Sequence, residues 1–498
     1  MKNVILFSAL VLIAGVAGCA VGPDYHRPQV LPAQTVPQKF SEDPSTGTNQ
    51  SLWKIAEPSA ALSRGDWWAM FDDAVLSRWE TVALTNNQNL AAAAARIVES
   101  RALVAEARSG LYPQATAGGT PGGDITRERT SINQPLDGVA SGTPHTYNTF
   151  TAPLYLGWEV DLWGRVRRQA EGAHERYVAS LDDLESAKLD LTAEVASDYF
   201  TLRALDDKYA LITNTIETYQ RSLDLTESRR RGGIVSDLDV AQAATQLHSA
   251  EAELPDIKLQ RVQLLHAVAV LCGRSPVDFM IATGPSETAK IPFVPPTVPS
   301  DLLEHRPDIS EAERLMSAAN ADIGVAKAAF FPSVTINGLV GFQSIDAASL
   351  FNMSSRFWAV GPSIELPIFT GGLNRARLAA AHAAYDETVA NYRQTVLSAF
   401  EEVEDQLSAQ RLLADEWTGQ YAALDSSRQA LEIANNRYKS GLITYLDVVT
   451  AQTDTLDRES AVVDLDGARL VATVNLIKAL GCGWQNAARP QPISQFNP

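Results

Sequence analysis

The chain carries the same structural unit twice, and this duplication restricts its possible folds more than any other feature. The segment RRGGIVSDLDVAQAA at 230–244 matches YKSGLITYLDVVTAQ at 438–452, which lies 208 residues later. Upstream, LYPQATA at 111–117 matches FFPSVTI at 330–336 at an offset of 219 residues. A repeat of this kind indicates one supersecondary unit built twice. Each copy is expected to contain a lead-in helix, two strands, a very long helix, a turn and a return helix.

Two long stretches without Pro predict helices of unusual length. The stretch from about 165 to 231 contains one Gly, Gly172, and the stretch from 373 to 440 contains only Gly419. At a rise of about 1.5 Å per residue, each helix spans on the order of 100 Å. Apolar residues recur at three- and four-residue steps along both stretches, which is typical of coiled-coil packing.

Shorter helices are predicted on either side of the long ones. Lead-in helices are expected near 78–109 and 302–329, and return helices near 236–272 and 444–480. One lead-in helix and one return helix, stacked end to end, match the length of one long helix. Pro255 lacks the backbone N–H that a helix interior needs, so the first return helix is expected to kink or break there.

Alternation of apolar residues with small or charged ones predicts the strands. Three are expected at 150–160, 334–342 and 358–368, with a weaker one near 113–120. The pattern fits a membrane strand with a lipid-facing and a water-facing side, and it fits a half-exposed sheet on a soluble core equally well. Four strands cannot close a membrane barrel, since the smallest barrels use about eight, and open edges in lipid are costly. The sheet therefore either stays out of lipid or is completed by several chains.

The N-terminus has the pattern of a secretory signal. Lys2 precedes a short apolar run, and VAGC at 16–19 is similar to a bacterial lipobox, in which Cys19 becomes the lipidated first residue of the mature protein. The alternative is an ordinary signal peptide with an incidental Cys. Ala20 stands where an inner-membrane retention signal would place Asp, and this resemblance implies transport to the outer membrane. After the signal, no apolar run approaches the roughly 20 residues of a spanning helix.

Composition and motifs exclude several function classes. The formal net charge of −18 leaves no basic stripe to neutralise the phosphates of a nucleic acid. Apart from Cys19, the chain contains only Cys272 and Cys482, which favours buried free thiols over the alternative of a disulfide between them. The sequence contains no paired His metal motif, nucleophile elbow or phosphate loop. We therefore expect no enzymatic activity, no cofactor and no metal site.

Four segments carry a resemblance to a known family: CAVGPDYHRP at 19–28, HRPDISEAERLMSAANADIGVAKAAFFPSVTI at 305–336, YKSGLITYLDVVTAQ at 438–452 and VNLIKALGCGW at 474–484. In this order they resemble the TolC-like outer-membrane efflux channels, most closely their NodT/OprM-type lipoprotein branch. The resemblance implies an α+β membrane protein that forms a homotrimer. Each protomer would add four strands to a twelve-stranded barrel, and its long helices would form a coiled-coil tunnel through the periplasm.

The same resemblance implies a function for the whole chain. It would be a passive channel in the outer membrane, the exit duct of a tripartite efflux or secretion system with a periplasmic adaptor and an inner-membrane pump. The alternative is a structural periplasmic lipoprotein, a coiled-coil tether without a pore. The transported substrate, whether drugs, metals, solvents or polypeptides, and the identity of the adaptor and pump stay open.

The resemblance also assigns roles to the two duplicated turns, 232–235 and 440–443, which together we call the tip. Asp239 and Asp447 would line a carboxylate gate with Leu446 and Tyr438 nearby; the alternative is that the two Asp residues only cap the return helices. Thr450 stands where close relatives often carry Asp, so a second acidic ring is not expected. The residues expected to dock the adaptor are Gly232, Gly233, Ile234, Ser440, Gly441 and Leu442.

The expected division of the chain follows the duplication. Loops at 121–146 and 344–356 would face the outside, and parts of 40–75, 274–300 and the C-terminus would form an equatorial belt. The division is a signal peptide at 1–18, a lipidated equatorial segment at 19–75, the first copy at 76–273, a linker at 274–300, the second copy at 301–484 and a tail at 485–498.

Overall fold

The computed structural model describes residues 20–30, 66–119, 124–128, 145–284, 291–292 and 306–481. The predicted signal peptide, Cys19, Cys482, the 485–498 tail and much of the two predicted equatorial segments lie outside these residues. The elements in chain order are α1 (Ala74–Asn86), α2 (Gln88–Ser109), β1 (Gln114–Ala117), β2 (Asp124–Glu128), β3 (His145–Val160), α3 (Arg165–Arg231), α4 (Asp237–Leu271), α5 (Pro307–Ala328), β4 (Ser333–Ser344), β5 (Arg356–Glu365), α6 (Leu373–Lys439) and α7 (Tyr445–Ala479).

The helices of the two copies agree in length. The long helices α3 and α6 each contain 67 residues, and the return helices α4 and α7 each contain 35. Both long helices start after a left-handed Gly, Gly164 at φ 78° and Gly372 at φ 90°, a conformation that only Gly adopts without strain. The predicted bounds of the long and return helices are confirmed to within one residue. The domain boundaries drawn around the two copies stay a prediction.

The first lead-in helix is split, where the sequence predicted one helix over 78–109. Asn87 has an extended conformation between α1 and α2, and its side chain accepts hydrogen bonds from the backbone N–H groups of Asn89 and Leu90 at the start of α2. Its Nδ2 also donates to the carbonyl of Leu271, the last residue of α4, over 2.9 Å. The prediction failed because this side chain stabilises a new helix start that apolar periodicity does not reveal.

Each lead-in helix continues from the end of a return helix, as predicted. In the second copy Arg306 takes the place of Asn87, and its guanidinium donates to the carbonyl of Ala479, the last residue of α7, over 3.2 Å. In the first copy the approach is close, because a Cβ added to Gly273 would lie 2.1 Å from the carbonyl oxygen of Asn86. The two helix ends therefore meet, and only Gly fits at this point.

The helix α4 runs through Pro255 without interruption, so the predicted break is wrong. Pro255 is exposed, whereas Ala250 and Ile257 on either side of it are buried. Packing on both sides therefore holds the helix together although one backbone hydrogen bond is lost.

The strands form one antiparallel sheet in the order β1–β3–β4–β5, and β2 pairs with the first part of β3. The predicted strands are all present. The predicted outer loop at 121–146 is partly wrong, because β2 and the start of β3 extend into it. These extensions, DITRE at 124–128 and HT at 145–146, are mostly polar or charged, so they lack the apolar alternation on which the prediction depended. The other loop contains two short 3₁₀ turns, Ala347–Ser349 and Met353–Ser355.

The main core lies among the helices, away from the sheet. Phe71, Tyr199, Phe200 and Val474 belong to one cluster that joins α3 and α7 to the chain before α1. In the described residues, no helix has an apolar stretch long enough to cross a bilayer.

Candidate functional site: sheet, anchor segment and tip

One face of the sheet is apolar and exposed. Residues paired across neighbouring antiparallel strands lie on the same face, and Leu154 pairs with Val340, which pairs with Trp358. Neighbouring rows on this face repeat the apolar character, and their members include Leu156, Ile336, Val360 and Ile364. Trp358 is 75% exposed, and Val360 and Ile364 are each 69% exposed. A soluble sheet would bury such a face, so this one requires an apolar partner.

The opposite face carries most of the polar side chains of the sheet and borders a cavity of about 990 Å³, whose lining also includes Leu156, Trp158 and Val360. Tyr155 and Glu159 of β3 lie on it beside Asn337 of β4 and Ser363 of β5. Where the cavity meets the helices, the Arg165 Nε donates to Glu159 Oε1 over 2.8 Å. The sheet thus carries most of its polar side chains on one face and apolar side chains on the other. This difference favours a membrane strand over a half-exposed soluble sheet.

Residues 20–30 form an extended segment, which we call the anchor segment, packed along α3 and α5. Val21 N–H donates to the Trp163 carbonyl over 2.9 Å, and Ala20 lies directly against Gly164. The anchor segment therefore starts where β3 passes into α3, at the base of the sheet. Cys19 itself lies outside the described residues.

Ion pairs and apolar packing hold the rest of the anchor segment. Asp24 accepts from Arg168 over 2.9 Å, and Arg27 pairs with Glu313. Tyr25 packs against the cluster of α5 and α6 side chains that contains Ile309, Met316, Tyr392 and Val396. Burial raises the pKa of the Tyr25 phenol. The anchor segment thus ties two helices of the second copy to the start of α3.

The two turns of the tip have the same backbone geometry. Gly233 has φ 72° and Gly441 has φ 73°. After each Gly, a backbone N–H reaches back into the helix: Ile234 donates to Arg229 over 2.9 Å, and Leu442 donates to Arg437 over 3.0 Å. These are the bonds of a helix end closed by a left-handed Gly. The duplicated Gly residues are therefore required by the turn itself.

The two predicted gate carboxylates both take part in capping boxes. Asp239 Oδ2 accepts from the N–H and the hydroxyl of Ser236, over 2.9 and 2.8 Å. Asp447 Oδ2 accepts from the N–H and the hydroxyl of Thr444, over 3.0 and 2.8 Å. Both Asp residues therefore cap the return helices that they begin. Among the described residues Oδ1 of each carboxylate takes no hydrogen bond, so a charge at each position remains open to further contacts.

Tyr438 is only 6% exposed and packs with Ala243, Tyr445 and Val448 between the two turns. Its ring lies 5.3 Å from that of Tyr445, centroid to centroid. It does not line an exposed surface of this chain. No local sequence pattern predicts this burial, because it depends on how the two copies meet.

Sequence reasoning missed the role of Arg229. Its guanidinium lies 4.8 Å from the Tyr438 ring centroid and donates to the carbonyls of Tyr438 and Lys439, over 3.0 and 2.7 Å. Arg229 therefore caps the end of α6 from the end of α3 and joins the two copies at the tip. The basic run at 229–231 predicts only a favourable helix end, which does not reveal a partner 209 residues away.

The other predicted tip residues are accessible. Ile234, Leu442 and Leu446 are each more than half exposed. Thr450 is exposed too, and its hydroxyl donates to the Leu446 carbonyl over 2.9 Å, within its own helix. The tip thus presents apolar side chains around the two carboxylates.

Two ionisable side chains are buried in the helical core, away from the tip. Cys272 is a buried free thiol, and burial raises its pKa to about 11. Burial also raises the pKa of Glu80 well above its ordinary value. Within the described ranges, no group of three or more His, Cys, Asp and Glu side chains could hold a metal ion.

Known proteins resemble this chain along almost its whole length. Residues 80–274 and 298–482 match the family described as outer membrane efflux protein. Outer membrane protein OprJ of Pseudomonas aeruginosa is 33% identical over 479 residues, 96% of this chain and 95% of that protein. Cation efflux system protein CusC of Escherichia coli is 30% identical over 468 residues, which cover 94% of this chain and 96% of that protein.

Solved structures agree in fold. The outer-membrane channel OprN superposes with a TM-score of 0.82 at 30% identity, covering 94% of this chain and all of that one. The open state of the MtrE outer membrane channel of Neisseria gonorrhoeae superposes with a TM-score of 0.77 at 29% identity, covering 93% and 98% of the two chains.

Proposed function

Because the chain belongs to the outer membrane efflux protein family, we propose that it is the outer-membrane channel of a tripartite efflux system. It is a passive exit duct, and an inner-membrane pump supplies the energy through a periplasmic adaptor. The observation that carries this function is the sheet with one exposed apolar face and one face of polar side chains, joined to two helices of 67 residues each. The first part fits a membrane and the second fits a tunnel across the periplasm.

Three copies of the chain complete the barrel. The sheet has open edges at β1 and β5, and backbone groups at an open edge cost several kcal/mol each in lipid. Three protomers that each supply four strands form a closed twelve-stranded barrel, in which the β5 edge of one protomer pairs with the first strand of the next. A homotrimer removes both edges at once.

A structural tether without a pore is the competing function. A tether would need the long helices and the anchor segment, but it would have no use for exposed side chains such as Trp358, Val360 and Ile364. This exposed face and the matched family both favour the channel.

A lipid on Cys19 would hold the chain at the inner surface of the outer membrane. Ala20 lies at the base of the sheet, so the acyl chains of the preceding residue would enter the periplasmic leaflet. Each buried CH₂ contributes about 0.8 kcal/mol. Since a closed barrel also holds the protein in the membrane, we assign the lipid to targeting more than to retention.

The tip would close the tunnel through its carboxylates. Six of them, Asp239 and Asp447 from each of three protomers, would converge on the axis, where like charges repel and bound cations relieve the repulsion. The free Oδ1 atoms described above are the groups available for this role. Leu446 would form the apolar neighbour of the ring, and Tyr438 would act indirectly by packing the two turns together.

The outer surface of the tip would dock the adaptor. Ile234 and Leu442 extend from the two turns at matching positions, 70% and 69% exposed. A trimer would present six such apolar side chains, three from each kind of turn, to a partner with complementary grooves.

Single-channel conductance of the reconstituted protein tests the channel and the gate together. Asp239→Asn/Asp447→Asn removes the charges but keeps an oxygen for each capping box, whereas Asp239→Ala/Asp447→Ala removes both. We expect a small, cation-sensitive conductance in the wild type and a larger one in both variants. A larger conductance in the Ala variant alone would mean that fraying of the return helices opens the tunnel and that the charges do not close it. No conductance in any folded trimer would contradict the channel.

A further inference from the structure

Exposed basic residues gather where the sheet meets the helices. Arg108 lies in the last turn of α2 and Lys327 in the last turn of α5. Arg375 and Arg377 lie at the start of α6, a few residues after the end of β5. We call these four side chains the basic collar. All four are exposed, in a chain whose formal net charge is −18.

The collar residues differ from their basic neighbours in having no acidic partner. Arg165 pairs with Glu159, Arg167 with Asp161, and Arg168 with Asp24 and Glu171. In the part of the chain that the structure describes, none of the four collar residues makes a salt bridge or a side-chain hydrogen bond. The acidic side chains of these pairs are thus already engaged, and the collar residues are not neutralised by an ion pair among the described residues.

The collar borders the exposed apolar face of the sheet. Between the end of β5 and Arg375, Ile368 is 92% exposed and Phe369 is 91% exposed. On the neighbouring strand–helix junction Trp163 stacks on Phe331, with ring centroids 4.7 Å apart. Residues 366–377 contain no acidic side chain. Apolar and aromatic groups followed by cations are typical of the boundary between hydrocarbon and lipid headgroups.

We infer that the basic collar binds the phosphate headgroups of anionic phospholipids in the periplasmic leaflet of the outer membrane. The inference rests on the proposed function, because the sheet must lie in the bilayer for the collar to reach that leaflet. Continuity with the apolar face selects a lipid over a soluble anion, since one molecule can then contact both surfaces. Each cation near an anionic membrane surface adds about 1 kcal/mol, which is about fivefold in binding.

The variant Arg108→Gln/Lys327→Gln/Arg375→Gln/Arg377→Gln removes the collar. The matched control, Arg230→Gln/Arg231→Gln/Arg437→Gln/Lys439→Gln, removes four cations at the other end of the long helices, on the order of 100 Å away. The experiment measures how strongly the detergent-solubilised trimers bind fluorescent phosphatidylglycerol and phosphatidylcholine. Inorganic phosphate serves as a competitor. Size exclusion checks the trimer, and Arg375→Gln alone replaces the collar variant if that variant fails to assemble.

We expect the wild type and the tip control to prefer phosphatidylglycerol, the collar variant to lose this preference, and Arg375→Gln to weaken it about fivefold. Excess phosphate should not displace the lipid. Equal preference in the collar variant and the wild type, or displacement by phosphate alone, would overturn the inference. Conductance of the same wild-type preparation separates failure of the lipid inference from failure of the proposed channel. A conducting trimer without lipid preference refutes only lipid binding by the collar. A folded protein that never conducts refutes the channel.

Discussion

The two copies of the repeat agree at the tip and differ at the opposite ends of their return helices. In the first copy a buried carboxylate, Asp206, accepts from Arg261 over 2.6 Å and from Arg203 over 3.1 Å. Both guanidinium groups also donate to backbone carbonyls, those of Ile281 and Ala282. The network therefore holds the start of the connection to the second copy against α3 and α4.

The second copy keeps the cations and replaces the anion. Arg411 and Arg469 stand at the positions of Arg203 and Arg261, but Ala414 stands where the first copy has Asp206. Arg469 instead lies 5.2 Å from the ring centroid of Trp417. The comparison teaches that the tip geometry is common to both copies, as the proposed closure of the tunnel by both turns requires. Away from the tip, each copy stabilises its own surroundings with different partners.

The largest effect is expected from removing the anion of the first copy. Asp206→Ala leaves two largely buried guanidinium groups without their charge partner, which costs about 3–5 kcal/mol. Thermal unfolding of the trimer in detergent, followed by circular dichroism, measures the loss. The control is Asp415→Ala in the second copy, which removes an exposed partner 3.9 Å from Arg411 and should cost at most about 0.5 kcal/mol. Equal effects would show that the copies do not differ in this way.

The tip should respond alike in both copies. Gly233→Ala and Gly441→Ala put a Cβ on left-handed backbone in open space, so each should cost about 1–2 kcal/mol from backbone strain alone. The same substitution at Gly419, an exposed interior position of α6 with nothing nearby, should stabilise by about 0.5–1 kcal/mol. The same unfolding measurement checks all three. If the losses in the free energy of unfolding for the two tip variants differed by more than about 1 kcal/mol, the two turns would not be equivalent.

A smaller, pH-dependent difference is expected between the lead-in helices. Burial, and then the nearby Asp183, Asp182 and Asp308, raises the pKa of Glu311 to about 7, whereas the matching residue of the first copy is Ala92. The folded protein therefore binds this proton more tightly than the unfolded chain. The resulting stability is complete below pH about 4.5 and is lost as the pH rises through about 7. Glu311→Gln should reduce the change in the free energy of unfolding between pH about 4.5 and about 7 by on the order of 1 kcal/mol. An unchanged pH profile of unfolding would contradict this prediction.

The helices were predictable because their signals are local. Long stretches without Pro and a Gly at each turn set the bounds of α3, α4, α6 and α7. The strands were predictable where apolar residues alternate, and β2 was missed where Asp and Thr replace them. The exposed Pro255 misled the prediction, since packing on the buried side of α4 outweighs one lost hydrogen bond.

The site was only partly predictable, since its contacts join distant parts of the chain. The capping roles of Asp239 and Asp447 follow from residues three positions apart, and sequence reasoning included them. The burial of Tyr438 and the bridging role of Arg229 depend on the meeting of two turns about 200 residues apart. No local pattern encodes such a meeting. Assigning residues to the two faces of the sheet required the strand register, because the register determines which alternating residues share a face.

The most direct test of the central claim is accessibility of single Cys residues along β5 in proteoliposomes, on a background with Cys272 and Cys482 replaced. Val360 and Ile364 lie on the apolar face, and Ala359 and Ser363, which directly precede them, lie on the opposite face. A membrane barrel predicts that Cys at 360 and 364 reacts only with a lipid-soluble maleimide, whereas Cys at 359 and 363 reacts with a water-soluble one. Reaction of all four with the water-soluble reagent, in protein shown to be folded and trimeric, would contradict the claim that this sheet is the wall of an outer-membrane channel.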